Sequence, residues 1–311
     1  MTAVELPDTA APRPVTVTEP GVYDMPDDAY HADPVPGGSL SSTGARKLLS
    51  PSCPALFAHW RDSEERETKA AWDEGHAAHK LVLGAGPELV IVADEWGKDP
   101  NEWRTNNAKA AVQAVRNRGA TPVKPAAMER VHAMADALRG RRTAATLFAP
   151  GAGKPEQTIV WRDAQTGAWC RALLDWLPNP TSSRFIFRDY KTCAASAIQK
   201  PDRVIDDLGY YVQAAFHVAG LQALGIAGPD AAALLVLQSK DPPYLVREVQ
   251  LDPIAMQIGA IRVREAQRLY AECSAAERSG DPNAWPSWSD DVELISLPGW
   301  VERQYEMELS Q

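Results

Sequence analysis

Arg184-Phe185-Ile186-Phe187-Arg188-Asp189-Tyr190-Lys191 is the stretch on which the fold turns. Its apolar and aromatic residues predict a strand. Successive side chains of a strand point to opposite faces, so Asp189 and Lys191 project together with Tyr190 between them. A carboxylate and an ammonium are thereby delivered to one place. Upstream, the apolar run Ala172-Leu173-Leu174 leads into Asp175 and then Trp176-Leu177-Pro178. An acid in that setting needs a partner.

Working outward, residues 157–162, a turn at 163–167 and residues 168–177 predict a hairpin whose second strand ends on Pro178. Upstream, Gly75, His79 and Val82 recur with Trp72 at three- and four-residue steps within residues 64–84, which is one helix face. Met128, Val131, Met134 and Leu138 form another. Ser41 opens a short capped helix that Pro51 and Pro54 interrupt. Downstream come a helix over 204–224, apolar strands at 231–237 and 244–251, and a long helix over 253–278. Helices, three strands, a helix and more strands make an α/β arrangement with a mixed central sheet flanked by helices. Residues 1–16, rich in Pro, Ala and Thr, predict a disordered tail. Residues 17–311 predict one domain, with a helical insertion at about 100–150.

A chain of 311 residues with 45% hydrophobic content supplies one substantial core. It has no apolar run of about eighteen residues and no basic-then-apolar leader, so a cytoplasmic protein without membrane contact is expected. Four scattered cysteines then read as reduced thiols with no iron-sulfur cluster. The net charge of −9 excludes a surface coated in basic residues. Two readings stay open for Arg104, Lys109, Arg116, Arg118, Lys124, Arg139, Arg141 and Arg142: a local basic groove, or solvated helix faces.

The paired groups suit phosphodiester hydrolysis. That reaction uses a divalent cation to polarise the phosphoryl oxygen and to acidify an attacking water, with hard oxygen ligands to hold the cation. Two aspartates suit Mg²⁺, and Lys191 would orient the water or offset charge building on the phosphate. An isolated Asp-x-Lys more often marks a buried ion pair.

Its company changes that weighing. In order along the chain stand Gly75-His76-Ala77-Ala78-His79, Asp175, Asp189-Tyr190-Lys191-Thr192 and Tyr210-Tyr211-Val212-Gln213. With these elements the chain resembles the RecB-like branch of the PD-(D/E)XK nucleases, which have a restriction-endonuclease-like core. The resemblance implies metal ligation by His79, Asp175, Asp189 and the Tyr190 carbonyl. It makes Lys191 catalytic and places Gln213 on a helix that supports the site or contacts DNA. Tyr210, Gln213 and His217 fall on one side of that helix.

Within that branch the chain is most similar to the exodeoxyribonuclease VIII (RecE-type) C-terminal nuclease domain and its phage relatives. The likeness extends through Gly21-Val22-Tyr23-Asp24-Met25, Tyr30-His31 and Leu40-Ser41-Ser42 to Trp285-Pro286-Ser287-Trp288 and Leu297-Pro298-Gly299-Trp300. It implies a Mg²⁺-dependent exonuclease, with Mn²⁺ able to substitute, that digests one strand of linear duplex DNA from its end, 5′ to 3′, in phage-type recombination. The implied partners are duplex DNA ends, further copies of the chain and a single-strand annealing protein. Two features depart from the pattern. Leu173 and Leu174 stand where relatives place a basic residue and a proline, so that a basic contact is either missing or supplied by Arg171, and His217 replaces a second tyrosine.

Rival readings are a CRISPR-adaptation-like nuclease and a catalytically silent DNA-binding module on the same fold. Cys53 matches the first cysteine of the iron-sulfur relatives, but Cys170, Cys193 and Cys273 lack their close spacing. His76 and His79 have no His-Glu-x-x-His order or third zinc ligand beside them, so His76 reads as a polar surface residue. Glu156, at the edge of the first hairpin strand, could assist at the site, but a strand-edge glutamate is more often solvated and it is not placed among the site residues. The ten tryptophans mostly sit in apolar or Pro-rich contexts that suit packing rather than base stacking.

Overall fold

The strand that carries Asp189 lies inside a seven-stranded mixed sheet. A computed structural model describes residues 15–63, 70–180, 184–289 and 291–309. The first elements in chain order are β1 (Gly21–Tyr23), α1 (Asp27–His31), β2 (Leu40–Ser41), α2 (Ser42–Leu48), α3 (Pro54–Asp62) and α4 (Ala70–Leu83). Next come β3 (Leu89–Ile91), α5 (Asn106–Asn117), β4 (Thr121–Val123), α6 (Pro125–Arg139) and α7 (Arg142–Leu147). The central strands are β5 (Gly153–Arg162), β6 (Trp169–Pro178) and β7 (Ile186–Cys193). They are followed by α8 (Ala195–Gln199), α9 (Pro201–Asp207), α10 (Tyr210–Ala223), β8 (Ala232–Ser239) and β9 (Val246–Gln250). The chain closes with α11 (Pro253–Arg278), α12 (Gly299–Gln304) and α13 (Glu306–Leu309). The expected 1–16 tail falls almost wholly outside the described residues, as does the start of the expected 64–84 helix.

The sheet order is β1-β5-β6-β7-β8-β9, with β2 also pairing on β6. Pairing is antiparallel except for β7 with β8 and β2 with β6. Parallel neighbours need a crossover, which α8, α9 and α10 supply. One face of the sheet is covered by α2, α10 and α11 through Leu48, Phe187, Phe216, Leu221 and Val263. The other is covered by α4 and α6 through Ala77, Val131, Met134, Tyr190 and Val236. Burial on both faces explains why β7 and β8 are largely apolar. Helix starts follow local chemistry: Ser41 Oγ accepts the Gly44 N–H at 3.0 Å, and Asp252 accepts the Ala255 N–H at 2.6 Å ahead of Pro253.

Three expectations need correction. The single helix expected over 204–224 is two, because Gly209 takes φ +61° and breaks the chain between α9 and α10. Arg46 fills the break, donating to the Leu208 carbonyl, and a Cβ on Gly209 would come within 2.9 Å of Arg46 Cδ. Second, the two readings of the eight basic residues divide, because four of them are held by carboxylates. Arg104 pairs with Glu102, Arg116 with Asp73, Arg139 with Asp136 and Arg141 with Glu248, at 2.7–3.0 Å. Third, Arg171 is an internal clamp rather than a basic contact. It binds Asp33 at 2.6 Å and the Ser39 carbonyl at 2.7 Å, tying the N-terminal segment to β6. The 100–150 region is helical through α5, α6 and α7, and β4 within it pairs in parallel with β3. Among the described residues no helix is long and apolar enough to cross a membrane. The four cysteines are buried free thiols.

His217 is buried against Phe187 with neither ring nitrogen hydrogen-bonded among the described residues. Burial, and then the charges of Lys191 and Arg46, pull it down to about 3. The unfolded chain therefore takes up a proton, below about pH 6.5, that the folded chain refuses. Its stability contribution is present above that pH and is lost as pH falls toward 3. His217→Leu is expected to raise stability by about 1 kcal/mol at neutral pH and to flatten the acid limb. Urea unfolding at pH 7 and pH 5 checks this, and a less stable variant at both values would contradict it.

Candidate active site

The site lies where the sheet forks. β6 and β7 share one rung, Trp176↔Arg188, and then part. The Tyr190 N–H, which would otherwise bond across the ladder, is accepted instead by Asp175 Oδ2 at 2.8 Å. This contact explains how an acid at the end of an apolar strand is satisfied. It also brings Asp175 beside Asp189, close enough for the two carboxyls to interact directly. Lys191, on the same strand face as Asp189, places Nζ 2.7 Å from Asp189 Oδ2 and 5.4 Å from the Tyr210 ring centre.

The fourth element arrives from α4, whose small, fully buried Ala77 and Ala78 let the helix close on the sheet. His79 Nδ1 stands 3.8 Å from Asp175 Oδ1, and its ring packs against that of Tyr190 with centres 5.1 Å apart. It also reaches the Tyr190 main chain. Tyr190 is itself anchored: its hydroxyl donates to Gln238 Oε1 at 2.6 Å, and Gln238 Nε2 donates to the Met134 carbonyl at 2.8 Å.

Burial pushes both carboxyls up, Asp189 to about 6, with Lys191 pulling each back toward its charged form. Burial acts against the Lys191 charge, but Asp189 and Asp175 outweigh it and hold the ammonium above its ordinary range. Burial and then the charge of Lys191 bring His79 down to about 4, so it is neutral at pH 7 with a lone pair to offer.

The donor set matches a hard divalent cation in kind: two carboxylates, a main-chain carbonyl and a neutral imidazole. Asp189 is 1% exposed, and its Oδ1 has no hydrogen-bond partner among the described residues. A buried orphan acceptor of this sort calls for a partner, a role that an ordered water or a bound cation fills. Among the described residues no three His, Cys, Asp or Glu side chains are gathered around one point. The Lys191 ammonium instead sits on the carboxylate that a cation would share.

Gln213 is half-buried on α10 and makes no side-chain hydrogen bond among the described residues. The helix spacing sets it on the side of Tyr210 and His217, both of which lie near Lys191. His76 is exposed at the mouth of a cleft of about 160 Å³ that it lines with His79, Glu156 and Asp175, facing Asp27 and His31 of α1. Glu156 is therefore no solvated edge residue: burial, and then the Asp175 charge, push it up to about 8. The sequence offered it as a strand acid that could assist at the site, without the backbone kink that brings it there. Arg46, close enough to Asp189 and Tyr210 to interact with their charges, carried no signal at all.

A family model described as a PDDEXK-like domain of unknown function (DUF3799) matches residues 41–294. A crystal structure from Eubacterium rectale, described as a "putative exonuclease", superposes with a TM-score of 0.55 over 91% of this chain and 98% of its own. Identity between the two is 10%, so this likeness concerns the fold. No curated protein matches the sequence. Because the matched span covers most of the chain and holds strands β5 to β9 with every residue gathered at the fork, the chain belongs to the DUF3799 family of PDDEXK-like domains, within the PD-(D/E)XK nuclease superfamily.

Proposed function

We propose that this protein is a Mg²⁺-dependent deoxyribonuclease, with Mn²⁺ able to substitute, that degrades one strand of linear duplex DNA from an end, 5′ to 3′. The observation that carries the reading is the sheet fork, where a buried Asp189 with an orphan oxygen meets Asp175, neutral His79 and the Lys191 ammonium. Asp175, Asp189, the Tyr190 carbonyl and His79 would hold the cation. When bound, it supplies Lewis acidity toward a phosphoryl oxygen and lowers the pKa of an attacking water. Lys191, held protonated between the carboxylates and Tyr210, offsets negative charge as it develops on the phosphate. Tyr210 packs beside it, and Gln213, on the same helix side, supports the site or contacts the DNA.

Action from an end is supported by the RecE-type order of motifs and by the description of the Eubacterium rectale neighbour. Charge supports it as well. With net charge −9 and several arginines, among them Arg116 and Arg141, paired to carboxylates, the protein is poorly equipped to hold duplex by phosphate attraction alone. A homo-oligomer enclosing the DNA removes that need. The reading makes the protein a cytoplasmic phage or prophage recombination exonuclease that hands a 3′ single strand to an annealing protein.

The test is acid-soluble nucleotide release from linear and covalently closed circular duplex. Linear DNA is expected to be degraded with Mg²⁺ or Mn²⁺, and neither with chelator nor with Ca²⁺ alone, whose longer, looser coordination does not position the water. Closed circles are expected to survive, and the protein to exceed its 33.9 kDa monomer mass in solution. Equal release in chelator, or no release under any condition, would reject the nuclease reading. Rapid nicking of circles by a monomer would reject the exonuclease.

A further inference from the structure

The ladder between β5 and β6 runs from Gly153↔Pro178 to Arg162↔Trp169 with one rung missing, the one that would join Glu156 to Asp175. At that point Glu156 has φ +50°, a left-handed conformation that a residue with a Cβ adopts reluctantly. Strain of this kind concentrates where function requires a particular side-chain direction. The kink sets Glu156 into the cleft lined by His79 and Asp175. There its carboxyl has no hydrogen bond or ion pair among the described residues, and of the charges acting on it those of Asp175 and Asp27 oppose its ionisation more strongly than those of Lys191 and Lys80 favour it.

A half-buried carboxyl turned toward another carboxyl is repulsive by itself, and a cation shared between them reverses the sign. The buried, unpartnered Oδ1 of Asp189, which also interacts with Asp175, calls for the same kind of ligand. We propose that Glu156 is a further acidic ligand of the divalent-cation site, holding the cation with Asp175 from the β5 side, directly or through a bound water. This rests on the cation-dependent reading above.

The test is Mn²⁺ binding by the full chain without DNA, followed by electron paramagnetic resonance of the free ion, together with melting in EDTA. The proteins compared are wild type, Asp175→Asn, Glu156→Gln and Glu156→Gly. Glycine adopts positive φ freely, so Glu156→Gly keeps the backbone and decides the matter where Glu156→Gln fails to fold. Both Glu156 variants are expected to bind Mn²⁺ about 10- to 100-fold more weakly while melting in EDTA at or above wild type. A folded Glu156 variant with wild-type affinity, beside an Asp175→Asn protein that has lost it, would overturn this inference alone. Lower melting with unchanged affinity would do so too, by showing a structural role. A wild-type protein that binds no Mn²⁺ would overturn this inference and the cation-dependent reading together.

Discussion

Asp189→Asn is expected to lower nucleotide release by orders of magnitude, with Mn²⁺ affinity lost and the fold retained. The amide is nearly the same size and keeps one oxygen, so packing around this 1% exposed side chain changes little. What disappears is the negative charge. A neutral amide is a poor hard ligand, and the orphan position now held by Oδ1 loses its use. The fold survives because Asp175, whose charge also acts on Lys191, still opposes the ammonium. Nucleotide release, Mn²⁺ binding and melting in EDTA are measured side by side. Near-normal turnover would remove Asp189 from the site, and a loss of activity that merely followed a lowered melting temperature would assign it to stability.

Lys191→Met is expected to separate catalysis from binding. Turnover falls roughly 10²- to 10³-fold, the usual loss when one electrostatic stabiliser of a transition state is removed. Cation affinity is retained or increased, because the ammonium 2.7 Å from Asp189 Oδ2 no longer competes for that oxygen. Stability shifts in the opposite direction. Without the ammonium, Asp175 and Asp189 face each other buried and uncompensated, so the variant melts below wild type in EDTA. Mg²⁺, binding the folded state alone, then raises its melting temperature more than it raises that of wild type. A variant that loses cation binding would make Lys191 an organiser of the carboxylates instead. One that cuts at the wild-type rate would end its catalytic assignment.

Much of this site was legible in local pattern. The two-residue period of 184–191 put Asp189 and Lys191 on one face before any contact was known, and the 2.7 Å ion pair follows from that alternation. The three- and four-residue steps around His79 described a helix face that docks on the sheet, and the Tyr210-Gln213-His217 side of α10 was set by the same geometry. Misreadings arose where a partner distant in sequence decided the outcome. Arg171 looked available until Asp33 and Ser39 were seen to hold it. Arg116 and Arg141 could be placed only once Asp73 and Glu248, far away in the chain, were seen to pair with them.

By itself, the sequence determined which residues alternate, which stack on a helix, that Ser41 starts one helix and that another runs over 253–278, because these depend on neighbours a few positions away. Only the tertiary structure decided that β6 and β7 part after one rung, so that Asp175 takes the Tyr190 N–H from fifteen residues along the chain. It also decided that the chain breaks at Gly209 and that Glu156 leaves its ladder to enter the cleft. Each of these rests on strand register and on packing between distant segments. A local period carries no information about either.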